Sequence, residues 1–136
     1  MIAASSRPWA CALGLALGVV LTASLAAAQE LPRLTQPVND LAGVIDPATE
    51  VELDALIRRL HAASGDAVVV ATVPSLAPYG SIEEYALRLF ERAGIGDKDK
   101  ANGLLIVLAT TERRVRVEVG YGLEEYVTDG FAGETI

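Results

Sequence analysis

The sequence predicts an α/β domain, a mixed and mostly parallel sheet flanked by helices in an α/β/α sandwich, preceded by a signal peptide. Three observations predict it. Two segments with apolar residues at helical spacing alternate with two continuous apolar runs, the order expected of parallel strands joined by helical crossovers. A third run, closely following the second strand, alternates charged with apolar residues and so reads as an antiparallel, half-exposed strand. The first 28 residues carry a single charge, Arg7, and are otherwise dominated by small and apolar side chains.

That leader has the three parts of a secretory signal: Arg7 near its start, an apolar run over residues 10–27, and Ala26-Ala27-Ala28 as a small-residue cleavage site. Cleavage after Ala28 leaves a mature chain of roughly 108 residues, enough for one domain with one modest core. The competing reading is an uncleaved anchor, since the run is nearly long enough to span a bilayer. The sole cysteine, Cys11, leaves with the leader, so packing must stabilise the exported domain without disulfides. The expected location is periplasmic or extracellular.

Residues 29–37 contain Pro32 and Pro37 and read as an extended tether, and residues 38–136 form the domain. Asp46 and Pro47 supply an N-cap and a first-turn proline, Leu53, Leu56, Ile57 and Leu60 follow at helical spacing, and Gly65 supplies the stop. Residues 67–73 form a β-branched run with no alternation, as in a strand covered on both faces. Ser81 and Glu84 make a capping box for a second helix, with Ile82, Tyr85, Ala86, Leu89 and Ala93 on its apolar face and Gly94 after it. Residues 103–109 are again wholly apolar; Thr110-Thr111-Glu112 reads as a hairpin connection to a strand in which Arg114, Arg116 and Glu118 alternate with valines. Residues 129–136 resemble the opening turn of another helix, with Asp129 as N-cap and Phe131 and Ile136 able to face a core. Eight residues cannot hold a helix alone, so the expectation is a domain truncated at its C-terminus.

Composition and missing motifs exclude several functions. Acidic residues outnumber basic ones 18 to 11, the net charge is −7, and loss of Arg7 makes the mature domain more acidic still. No basic cluster could neutralise a run of phosphates, so nucleic acid is not an expected partner. His61 is the only histidine and lies within the first helix, no G-x-S-x-G elbow is present, and Gly94-Ile95-Gly96 and Gly120-Tyr121-Gly122 lack the third glycine of a dinucleotide loop. The stretch of residues 94–103 is more suggestive. Asp97, Asp99 and Asn102 place hard oxygen donors on a glycine-flanked turn, although Ala101 departs from an EF-type ligand pattern and a solvated loop of mixed charge explains the same spacing.

Val38-Asn39-Asp40, Gly65 before the valine run, Ser81-Ile82-Glu83-Glu84-Tyr85-Ala86, Gly94-Ile95-Gly96-Asp97, Asn102-Gly103-Leu104-Leu105 and residues 117–124 resemble, in order, successive blocks of the TPM domain. The resemblance implies an α/β sandwich, export or membrane anchoring, and a family that includes a thylakoid protein of photosystem II repair. Acid phosphatase activity and calcium binding have been attributed to members. By resemblance, Asp40, Glu124 and Asp129 match recurrent acidic positions and form the expected calcium set, with Asp97, Asp99 and Asn102 as the alternative set. Members usually continue into a membrane helix, which implies membrane association through a C-terminal segment.

The resulting expectation is an extracytoplasmic binding or accessory module for membrane-protein assembly or maintenance, with weak calcium binding. The alternative is a weak metal-assisted acid phosphatase, a phosphomonoesterase using carboxylate-held metal. Against the enzyme stand the lack of a nucleophile with a base and of an arginine beside the acidic loop. Expression in a secreting host followed by N-terminal sequencing is expected to find Gln29 first; exported protein that retains Met1 would show an uncleaved anchor instead.

Overall fold

The computed structural model describes residues 30–128, so residues 1–29, on which the expected signal peptide falls, and residues 129–136, including Asp129, lie outside the described residues. Along the chain run β1 (Val38–Asp40), α1 (Pro47–Ser64), β2 (Ala67–Val73), α2 (Ile82–Ala93), β3 (Gly103–Ala109) and β4 (Arg114–Val119), followed by a 3₁₀ turn at Tyr121–Leu123. The strands form one sheet in the order β1-β2-β3-β4. The first three are parallel and β4 is antiparallel to β3, which makes the sheet mixed and mostly parallel.

Local chemistry sets the helix ends where the sequence places them. The Asp46 carboxylate accepts the Thr49 N–H at 3.0 Å and Pro47 opens α1; the Ser81 hydroxyl accepts the Glu84 N–H at 3.1 Å and caps α2. Both helices close on a left-handed glycine, Gly65 and Gly94. The three-residue β1 carries too little pattern to read as a strand from its sequence. It exists because Val38, Asn39 and Asp40 pair with Val70, Ala71 and Thr72. The residues before it do more than tether the domain, since Leu31 is buried and Leu34 packs against the core.

The core lies on one face of the sheet. There Ala71 and Val73 of β2 and Leu105, Val107 and Ala109 of β3 meet Ile82, Tyr85, Ala86 and Leu89 of α2. Tyr79 stands edge-on to Tyr85, with ring centroids 5.3 Å apart. The burial expected along all of β2 is realised only at Ala71–Val73; Ala67 through Val70 are half-buried.

β4 is a sheet-edge strand, as its alternation implies, but the side its valines face is set by register. Val115, Val117 and Val119 pair with Leu108, Ile106 and Leu104, so they share the face away from the α2 core; Arg116 and Glu118 pair with Val107 and Leu105 on the core face, beside α2. The Arg116 and Glu118 side chains form an ion pair at 3.4 Å.

Leu89 is fully buried at the centre of the α2 interface. Leu89→Ala should therefore cost about 2–5 kcal/mol of stability, measured by urea denaturation, while the exposed Leu87→Ala should change it little.

Candidate functional site

In an open α/β sheet, ligand-binding groups gather beyond the carboxyl ends of the parallel strands. Here that edge carries Asp40 at the end of β1, Thr72 near the end of β2 and Ser75 just beyond it, and Thr110 and Glu112 after β3. Asp40 Oδ1 accepts the Val44 N–H at 3.1 Å and the Thr72 hydroxyl, while Oδ2 accepts the Ile45 N–H at 2.9 Å. Thr72 Oγ1 in turn accepts the Ala42 N–H at 3.1 Å. The loop leading into α1 is thus wrapped around one carboxylate. The Thr72 hydroxyl, followed by the Ile45 and Val44 amides, holds the Asp40 carboxyl below its ordinary value, because each donates to the ionised form.

Glu112 performs the equivalent task for the loop after β2. Its Oε1 accepts the Leu76 N–H at 3.0 Å and the Ser75 hydroxyl at 2.8 Å, and these bonds, the Leu76 amide foremost, lower its pKa. Oε2 is buried without a hydrogen-bond partner among the described residues. Between these loops lies a crevice of about 160 Å³ lined by Leu31, Leu41, Val73, Ser75, Tyr79 and Tyr85, among others. Sequence reading singled out neither Thr72, Ser75 nor Glu112. Their position at or just beyond the carboxyl ends of parallel strands was the available signal, and the role of Thr110-Thr111-Glu112 as a hairpin connection drew attention from it.

The opposite edge holds the loop of Asp97, Asp99 and Asn102. Asp97 Oδ1 accepts the Asp99 and Lys100 amides at 2.8 and 3.1 Å, which lower its pKa, the Lys100 amide contributing most. Asn102 is buried and ties three segments together. Its Oδ1 accepts the Asp97 N–H at 2.9 Å, while its Nδ2 donates to Gly65 O at 3.0 Å and Asp66 Oδ1 at 3.3 Å. His61 is at this edge too, with Nδ1 3.1 Å from Asp66 O.

The glycine-containing blocks converge on the same place. The Gly120 N–H donates to Gly103 O at 2.7 Å, and the Gly122 N–H to Ala101 O at 2.9 Å. A Cβ on Gly103 would stand 2.2 Å from Ile95 O, and one on Gly122 would stand 2.0 Å from Lys100 O. Backbone therefore lies against backbone where any side chain would collide, and the paired glycines serve closure of the fold.

The proposed calcium ligands are distributed accordingly. Asp40 is level with Thr72 and hence with Leu108, whereas Glu124 follows a strand that ends opposite Leu104. Those levels differ by about 13 Å along β3. The structure does not bring Asp40 and Glu124 together, and Asp129 lies outside the described residues. Asp97, Asp99 and Asn102 do share one loop, but the hydrogen bonds just described already engage Asp97 and Asn102. Among the described residues no group of three or more His, Cys, Asp and Glu side chains is placed to hold a metal ion.

Comparison with known proteins agrees with this architecture. The model of the family described as the TPM domain matches residues 38–136. The N-terminal domain of a protein from P. gingivalis, solved by solution NMR, is similar at 32% identity and a TM-score of 0.65 over 76% of this chain and 74% of that one. The N-terminal domain of a Corynebacterium glutamicum protein, also solved by NMR, has the same fold at a TM-score of 0.57 and 20% identity, over 78% of this chain and 65% of that one. No curated protein matches the chain.

Two outcomes test the structural roles. Asp40, Asp97 and Glu112 all have lowered pKa values in the folded state, so the unfolded chain binds protons more readily. Their stabilisation is complete above the ordinary carboxyl range and lost as pH falls through the folded values. The melting temperature should hold steady down to about pH 5 and fall below about pH 4, and Asp40→Asn should lower it at neutral pH while shrinking the acid-induced fall. Asn102→Asp, which replaces a donor with an oxygen facing Gly65 O and the Asp66 carboxylate, should destabilise by about 1–3 kcal/mol in urea denaturation.

Proposed function

The chain belongs to the TPM domain family over residues 38–136, and on that premise we propose that it acts outside the cytoplasm as a binding or accessory module for assembly or maintenance of membrane proteins. The observation that carries this reading is the occupancy of the carboxyl edge. Both Asp40 oxygens and Glu112 Oε1 accept from the chain's own amides and hydroxyls, which makes them organisers of loops. The edge presents surface instead: Leu41 and Val44, both exposed large apolar residues, stand on the loop that Asp40 shapes, and Leu41 borders the crevice. An apolar loop held rigidly in this way loses little conformational entropy on docking.

The leader read from residues 1–28 supports action after export. Among the described residues no helix is long and apolar enough to cross a membrane. The phosphomonoesterase alternative needs a nucleophile with a base, or carboxylates free to hold a metal beside a phosphate clamp. His61 is on the opposite edge from Asp40 and Glu112. No step of the proposed function is routed through a cation.

The test uses the full protein in its native host, with a photo-crosslinking residue in place of Leu41 or Val44. Adducts to a membrane protein at both positions, absent when the crosslinker replaces the exposed Arg59, are expected. Hydrolysis of p-nitrophenyl phosphate should stay at the blank with or without millimolar calcium or magnesium. Metal-dependent turnover abolished by Asp40→Asn in a protein that still folds would overturn the reading in favour of the phosphatase. Calcium titration of the same protein locates any ion: heat lost in Asp129→Asn places it at that residue, and heat lost in Asp99→Asn places it in the 97–102 loop.

A further inference from the structure

β4 ends the sheet, and among the described residues no strand lies on the side of it turned away from β3. One bond assigns its backbone groups to sides. The Gly120 N–H donates to Gly103 O across the ladder, one step beyond the Leu104–Val119 pair, so Gly103 and Gly120 are a hydrogen-bonded pair. Such pairs alternate along an antiparallel ladder, and Glu118, Arg116 and Arg114 therefore turn their N–H and C=O groups to β3. Those of Val115, Val117 and Val119 point outward. The six residues of β4 keep one-to-one register with β3 and include no proline and no bulge, two of the devices that keep an edge from pairing.

The side chains of this edge fit a second copy of the same strand. Arg116 and Glu118 stand on the face that α2 covers; Val115, Val117 and Val119 stand half-buried on the other, the face on which α1 rests over β1 and β2. Two antiparallel copies related by a twofold axis can bond through their outward groups only where valine faces valine. Centring the axis on Arg116 sets Arg114 against Glu118 but places the two Arg116 side chains directly opposite each other, and centring it on Glu118 does the same to the two glutamates. Like charges so opposed are destabilising. Centring on Val117 sets Val117 against Val117, Val115 against Val119, and Arg116 against Glu118 twice, with no like pair. The charged positions then fall at non-hydrogen-bonded pairs, the closer kind, at about 4.5 Å between Cα atoms. Within one chain Arg116 and Glu118 already pair at 3.4 Å, so the four groups make a ring of alternating sign.

We propose that two copies of this chain associate edge to edge through β4, antiparallel and centred on Val117, which joins their four-stranded sheets into one. Apolar groups flank the seam on both faces. On one, the valines of each copy extend the row of the other. On the α2 side, Leu87 and Tyr121 are 45% and 83% exposed and line a hollow with Phe90, Glu118 and Val119. The chain's net charge of −7 opposes self-association at long range, a repulsion screened beyond about 8 Å at physiological salt. Contact is therefore weak in total and selective in register, as expected where a short ladder and one charge ring supply most of the complementarity.

Sedimentation equilibrium of the full protein at about 0.15 M salt should show monomer and dimer in exchange. Arg116→Glu and Glu118→Arg, made singly, each set like charges opposite one another twice and should raise the dimer Kd at least about tenfold. An equimolar mixture of these two variants should dimerise again, because every Glu then faces an Arg. The double variant R116E/E118R keeps the composition and the pair within the chain. It should dimerise like the unmodified protein yet form few mixed dimers with it, read by native mass spectrometry with one partner isotope-labelled. Either the pair of single variants or the double variant decides the matter if the other fails to fold, as judged by amide spectra. A protein that stays monomeric to about 1 mM overturns the proposal and leaves the edge to a foreign strand. Dimers indifferent to the single changes, no recovery on mixing, a dissociated double variant, or mixed dimers in statistical proportion each overturn it as well.

Discussion

Asn102 and the backbone packed around it hold the amino edge of the sheet together, and the remainder of the fold depends on that junction. One side-chain amide joins the end of α1, the turn before β2 and the loop before β3 through three hydrogen bonds. Its own carbonyl accepts the Ala67 N–H at 3.0 Å and so starts the β2–β3 pairing. Directly beyond it, Gly103 lies against the carbonyl of Ile95, and the returning chain bonds Gly120 to Gly103 and Gly122 to Ala101. A buried amide that satisfies donors and an acceptor at once fixes geometry more narrowly than an apolar contact of equal size. Registers of β2, β3 and β4 follow from this one place.

This junction changes the meaning of the most distinctive motifs. The glycine pairs and the Asn-Gly turn look, in a linear sequence, like loops shaped for phosphates or cations. In three dimensions they face one another, and their lack of side chains allows backbone to approach backbone. The Asp97 carboxylate closes its own turn in the same way. A motif can therefore be highly specific for a family while its physical role is to close the fold.

The carboxyl edge follows a complementary logic. Two carboxylates each gather a loop, Asp40 by accepting two amides and a hydroxyl and Glu112 by accepting one of each, so the surface between them is set by groups bonded to the chain's own loops. Under the proposed function, what such an edge would offer a partner is shape and apolar area on a stiff support. The sheet itself is unequal in its two faces: one is filled by α2, and the other carries α1 over β1 and β2 and a valine-lined area over β3 and β4. An edge strand whose valines are only half-buried is a surface open to association.

Helix ends, both long strands and the edge character of β4 were legible in the sequence because each depends on neighbours within a few residues. Asp46 and Ser81 cap the amides that follow them, and the charge alternation of residues 114–119 needs only a strand's period to be recognised. The short β1, the docking of Leu31 and Leu34, and the face chosen by the β4 valines were not legible, because each is decided by pairing with residues some thirty or more positions away or by the turn of one hairpin. The candidate site divides in the same manner. The residue types at Asp40, Asp97 and Asn102 announced themselves, whereas their separation onto opposite edges and the loop-shaping roles of Thr72 and Glu112 were decided only by the tertiary structure. Strand direction and register, which alone determine which ends of distant segments meet, depend on contacts across the whole sheet and leave no local trace in the chain.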